Sequence, residues 1–149
     1  MQFLTRAQAS MTWTVHQRQI EGRTAQILLD DYFVPHAPVK DLVLLSGFSL
    51  YCRQEPVNTL WHPDEADTLD TIEERLINLC EKYAHGWSVY VMRMATFGVR
   101  EYYFYHSASA ELPKAYAELK NLTPDYRIEF ATVNDPDWTQ YRKCMTAQD

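Results

Sequence analysis

The sequence predicts a single α+β domain, and three observations predict it. The chain has 149 residues, the usual size of one domain. Hydrophobic residues make up 46% and charged residues 23%, which is enough apolar side chain to build a core. Between residues 41 and 133 the apolar positions recur with strand, helix, strand, strand, helix and strand spacing. That order is the split βαβ, or ferredoxin-like β-α-β-β-α-β, pattern: an antiparallel sheet with two helices on one face.

The elements follow in order along residues 1–149, with no linker or repeat between them. Residues 1–10 read as a lead-in without the apolar core of a signal peptide. Residues 12–33 read as a β-hairpin, because Trp13–Ile20 and Thr24–Phe33 alternate apolar and polar residues around the turn Glu21-Gly22-Arg23. Pro35 and Pro38 end it by removing backbone donors. Asp41–Cys52 opens on Leu42, Val43, Leu44 and Leu45, a run expected of a strand buried on both faces. Pro56 and Pro63 mark residues 53–63 as loop.

From Asp64 to Ala84 the spacing of Leu69, Ile72, Leu76, Leu79 and Tyr83 predicts an amphipathic helix. Acids crowd its start and Lys82 and Gly86 mark its end, as the helix dipole favours. Trp87–Thr96 and Val99–Ser107 read as aromatic-rich strands joined near Gly98. Ser109–Leu122 reads as the second helix, and Tyr126–Val133 as a strand with Tyr126, Ile128 and Phe130 inward. A last helix over 135–146 takes Asp135 as N-cap and Pro136 as its first residue, with Trp138, Tyr141 and Met145 on its docking face.

The charge is uneven. The net charge is −6, yet residues 55–81 alone hold eight carboxylates (Glu55, Asp64, Glu65, Asp67, Asp70, Glu73, Glu74, Glu81) against Arg75. An acidic chain gathers no cations around phosphate, so nucleic acid and anionic membrane are excluded as partners. A local acidic field instead steers a protein partner with a basic surface. The expected partner-binding residues are Asp64, Asp67, Asp70, Glu73 and Glu74, joined by Tyr103 and Tyr105 if that face of the strand is open. Core packing under the hairpin is the competing account of the two tyrosines.

Catalytic signals are missing. His16, His36, His62, His85 and His106 share no zinc spacing, and Ser46-Gly47-Phe48-Ser49 is no nucleophile elbow. Four glycines cannot assemble a P-loop or dinucleotide fingerprint, so no cofactor and no metal are expected. Cys52, Cys80 and Cys144 are odd in number and far apart, which suits free thiols in a cytoplasmic protein. No segment reaches the roughly 20 apolar residues of a membrane span. The alternative to a binding domain is an enzyme or ligand site assembled in the fold around Arg93, Arg100 and His106, with the arginines as anion anchors.

Three stretches together carry a family likeness: Trp13 with its hairpin, TFGVREYYFY over 96–105, and DPDWTQY over 135–141. They resemble the bacterial domain of unknown function 695 family. That family is similar in turn to the regulator of ribonuclease activity B, an acidic ferredoxin-like protein that inhibits a ribonuclease by binding it. The resemblance implies a bacterial, cytoplasmic, non-catalytic protein that inhibits or regulates a partner, a nuclease among the candidates. A toxin immunity protein is the variant of that reading with the same charge logic. The family brings no active-site residues with it.

Overall fold

The structure, a computed structural model, describes residues 13–20, 22–57 and 60–146. The lead-in expected over 1–10, the turn residue Glu21 and the packing of Met145 lie outside the described residues and side chains.

The hairpin is formed by β1 (Trp13–Ile20) and β2 (Arg23–Asp30), paired from Trp13↔Asp30 to Ile20↔Arg23. Then follow β3 (Leu44–Tyr51), α1 (Ala66–Ala84), β4 (Ser88–Thr96), β5 (Val99–His106), α2 (Leu112–Leu122), β6 (Arg127–Asn134) and α3 (Thr139–Thr146). All six strands share one antiparallel sheet in the order β1-β2-β4-β5-β3-β6. Each of α1 and α2 joins strands that are not neighbours, with one strand inserted between them. Two such split units interlocked make the ferredoxin-like core the sequence predicts.

The helix face packs as the spacing requires. Leu69, Ile72, Leu76, Leu79 and Cys80 of α1 and Leu112, Ala115 and Leu119 of α2 close on Phe48, Leu50, Tyr102, Phe104 and Ile128. His85, at φ 53, turns the chain out of α1 just before Gly86. Glu65 fixes the other end. Its carboxylate accepts the backbone N–H groups of Arg53 (2.8 Å) and Gln54 (2.9 Å) and the hydroxyl of Tyr126 (2.7 Å).

The opposite face is covered too, which explains the apolar run that leads into β3 at Leu44 and Leu45. Phe33, Val39, Leu42, Trp138 and Tyr141 pack on Ile27, Leu29, Leu45, Val91, Met92 and Tyr105. The hairpin therefore extends the sheet in its own plane and layers nothing over Tyr105; the segment after it and α3 do that. The last helix starts at Thr139 and not at Asp135. Trp138 sits at φ 57, a conformation a bulky side chain resists, and this interrupts any helix begun at Pro136. Asp135 still caps α3, accepting the N–H groups of Thr139 (2.9 Å) and Gln140 (3.1 Å).

One consequence shapes the surface. Two helices cover the β4-β5-β3-β6 part of the sheet, so the hairpin continues past them as a shelf beside α1.

Candidate functional site

Strand register places the site. On the helix side of the sheet Leu28 lies opposite Arg93, and Arg93 opposite Tyr102. In the next row Gln17 lies opposite Gln26, Gln26 opposite Ala95, and Ala95 opposite Arg100. Both arginines thus point towards α1 from neighbouring strands. Glu73 meets them: its Oε1 accepts from Arg93 Nη1 at 2.7 Å and stands 3.9 Å from Arg100 Nη1. Its Oε2 accepts the Tyr90 hydroxyl at 3.1 Å. Asp70, one turn earlier, lies 3.7 Å from Arg100 Nη1.

The arginine side of this ionic knot is buried, with the Arg100 side chain 3% exposed and that of Arg93 12%, whereas Asp70 reaches solvent. Burial disfavours charge on Arg93, but the facing Glu73 carboxylate outweighs it and raises its pKa above the usual value. Burial also pushes the Tyr90 and Tyr102 hydroxyls up. The Arg100 guanidinium lies 4.2 Å from the centroid of the Trp61 ring.

Trp61 is also a wall of a groove of about 950 Å³. Leu60, Trp61, Pro63, Ala66 and Phe97 make its apolar side; Gln17, Thr24 and Gln26 of the hairpin shelf, with Arg23, make its polar side. Arg23 stands 6.0 Å from the centroid of the half-exposed Phe97 ring.

The residues expected from the sequence separate into two groups. Asp64, Asp67, Asp70 and Glu74 lie on the exposed surface of the α1 region, whereas Glu65 and Glu73 turn inward to hold the fold. Glu73 therefore presents no open acidic surface. Tyr105 is fully buried against Trp138 and donates to Asp135 at 2.6 Å, so it does not lie on an open face. Tyr103 is half-buried, its hydroxyl bonded to Glu101 at 2.6 Å.

Arg93 and Arg100 do come together, but His106 does not join them. It sits six residues along β5 from Arg100, roughly 20 Å of extended strand. There its Nδ1 donates to the Ser107 carbonyl (3.0 Å), and its Nε2 accepts from Ser46 Oγ (2.7 Å), which also bonds Thr132. Burial holds the His106 pKa below its ordinary value, partly opposed by that carbonyl. Among the described residues no three His, Cys, Asp or Glu side chains stand together to hold a metal ion. All three cysteines are free, with pKa values raised by burial.

Trp61, Gln26 and Phe97 were not legible as site residues. A tryptophan between Pro56 and Pro63 was a faint signal; Gln26 had none, because only strand register sets it beside Ala95.

Among the described residues no helix is long and apolar enough to cross a membrane. A family model described as "Family of unknown function (DUF695)" matches residues 11–145. Comparison with curated proteins and with solved structures gives no match, and nothing found connects the chain to the ribonuclease regulators.

Proposed function

The chain belongs to the DUF695 family of unknown function, and on that premise we propose that it is a non-catalytic domain that binds and regulates a partner protein through a basic surface on that partner. The observation that carries this reading is the outer surface of the α1 region, where Asp64, Asp67, Asp70 and Glu74 are exposed together. Glu65 and Glu73 turn inward to hold the fold, and Asp70 lies beside Arg100, while all four carboxylates of the row still face solvent. A one-signed surface on a rigid helix speeds encounter and sets orientation.

The polar groups that catalysis would need support the same reading. The Ser46–His106 pair has the nucleophile-to-base hydrogen bond of a catalytic dyad, yet both side chains are buried, Ser46 completely. The third group is a carbonyl, not a carboxylate, so an imidazolium formed there lacks a balancing charge. The thiols are disfavoured as thiolates.

The test compares the native chain with a triple variant, Asp64→Lys, Asp67→Lys and Glu74→Lys, as baits in lysate of the source organism. A basic protein held by the native chain, released by moderate salt and lost from the variant is the expected result. Identical sets of captured proteins from both baits would sink the proposal.

A further inference from the structure

Among the described residues no helix covers the hairpin on the side of α1. There the hairpin presents Val15, Gln17 and Gln19 from β1 and Thr24, Gln26 and Leu28 from β2, since Val15 lies opposite Leu28 and Leu28 opposite Arg93. Val15 is 60% exposed. On the other side of β1 the polar Thr14, His16 and Arg18 are half-buried. β1 thus turns an apolar residue to its more open side, the reverse of the alternation a strand facing water shows.

One flank of α1 walls this strip. Ala66, Asp70, Glu73 and Ile77 follow one another at helical spacing and share one face of the helix. Ala66 lines the groove together with Gln17 and Gln26, and Glu73 bonds Arg93 and Tyr90, which sets that face towards the hairpin. Asp70 is 68% exposed there, and Glu74 and Glu81 beside it are exposed too. The basic residues of the helix turn the other way, Arg75 to the Leu122 carbonyl and Lys82 to Glu118 of α2. Arg23 stands at the hairpin turn near Phe97 and leaves the α1 rim to the acids. At that end of the strip Leu60, Trp61 and Phe97 supply an apolar wall.

The strip is two strands wide, about 10 Å, and a helix is about 10 Å across. Its strands of eight residues run roughly 26 Å, the length of about 17 helical residues. We infer that this strip docks an amphipathic helix of the partner protein alongside α1. Its apolar side chains lie on Val15, Leu28 and the Trp61–Phe97 wall, and its lysines or arginines run along Asp70, Glu74 and Glu81. An apolar floor beside a rim of one sign selects that helix type: an acidic helix is repelled, and a uniformly polar one leaves Val15 in water. The inference rests on the acidic-surface reading above and adds to it the shape of the partner and the place where it lies.

The probe is a peptide of leucine and lysine, about 17 residues long with the leucines at helical spacing, titrated by NMR into the full isotope-labelled chain. Saturable shifts of the Val15 and Leu28 methyl groups and of the Trp61 indole are expected. A peptide of the same composition in scrambled order, and one with glutamate in place of lysine, should each bind at least roughly tenfold more weakly. Val15→Thr with Phe97→Ser alters two exposed side chains. This pair should weaken the leucine–lysine peptide several-fold and leave the melting temperature unchanged. Binding that the Asp64→Lys, Asp67→Lys, Glu74→Lys variant loses and this pair keeps would overturn the inference and spare the acidic-surface reading. Equal affinity for the lysine and glutamate peptides would remove both. The same shifts on raising the protein concentration alone would assign the strip to a second copy, and Overhauser contacts from residues 1–12 to Val15 would assign it to the chain itself; either result overturns the inference.

Discussion

The ring of Trp138 lies flat on the ring of Tyr105, with centroids 4.0 Å apart and planes 5° from parallel. Each ring is also pinned by a hydrogen bond, Trp138 Nε1 to the Leu42 carbonyl (2.8 Å) and the Tyr105 hydroxyl to Asp135 (2.6 Å). The stack is the point where α3 joins the sheet, and it holds Trp138 in its left-handed backbone conformation. Trp138→Ala removes the stack and orphans the Leu42 carbonyl without relieving the backbone. A loss of about 3–5 kcal/mol in urea unfolding is expected. An unfolding midpoint equal to the native one would show that the stack does not hold α3 in place.

Glu73 is the carboxylate on which two arginines depend. Replacing it by Gln leaves Arg93 bonded to a neutral group and Arg100 with Asp70 alone. Breaking a buried pair from one side costs about 3–5 kcal/mol, because the remaining charge keeps its desolvation penalty. Glu73 is 19% exposed, so the lower end of that range applies. A double variant, Glu73→Gln with Arg93→Gln, should recover part of the loss. Equal stability of the single variant and the native chain in guanidinium would contradict the pairing.

Gly47 and Tyr103 are close neighbours across β3 and β5. A methyl group at Gly47 would lie 2.9 Å from Tyr103 Cε1. Gly47→Ala must therefore displace the ring, at about 1–3 kcal/mol for overpacking. Combined with Tyr103→Ser the same change should cost far less. The coupling in that double-mutant cycle is the quantity to measure, and a value near zero would mean that the ring moves aside without strain.

Local patterning made the architecture legible, and pairing between distant segments hid the site. The spacing of Leu69, Ile72, Leu76 and Leu79 locates α1, and the unbroken run of Leu42 to Leu45 signals a strand covered on both sides. The start of α3 was missed by several residues, because Asp135 and Pro136 carry strong start signals that the positive φ of Trp138 overrides. Arg93 and Arg100 stood out as charges inside apolar strands, and the fold does join them. His106 shared their strand pair but not their end of it. The carboxylates were indistinguishable in sequence, since burial of Glu65 and Glu73 depends on which turn of α1 faces Arg53 or Arg93.

The His106 environment sets a pH dependence whose sign follows from its burial. The folded pKa lies below the ordinary 6.5, so the unfolded chain takes up the proton more readily. The stabilisation is complete above the unfolded pKa. As pH falls below about 6.5 it is lost, at up to about 1.4 kcal/mol per unit, until the folded pKa is reached. Glu65 and Asp135 act in another window. Burial would raise their pKa values, but the hydrogen bonds to Tyr126 and Tyr105 and to backbone N–H groups outweigh it and hold both below the carboxylate range. Their contribution is lost as pH falls through those folded values, below 4.5 for Glu65. His106→Gln removes the first dependence and keeps the second. The stability difference between the native chain and this variant should therefore shift against the native chain between about pH 7 and pH 5. The remaining histidines and the two carboxylates are common to both proteins and cancel. A difference that stays flat across that range would mean that His106 titrates alike in the folded and unfolded chains, and that its seat between Ser46 and Ser107 is open to the proton.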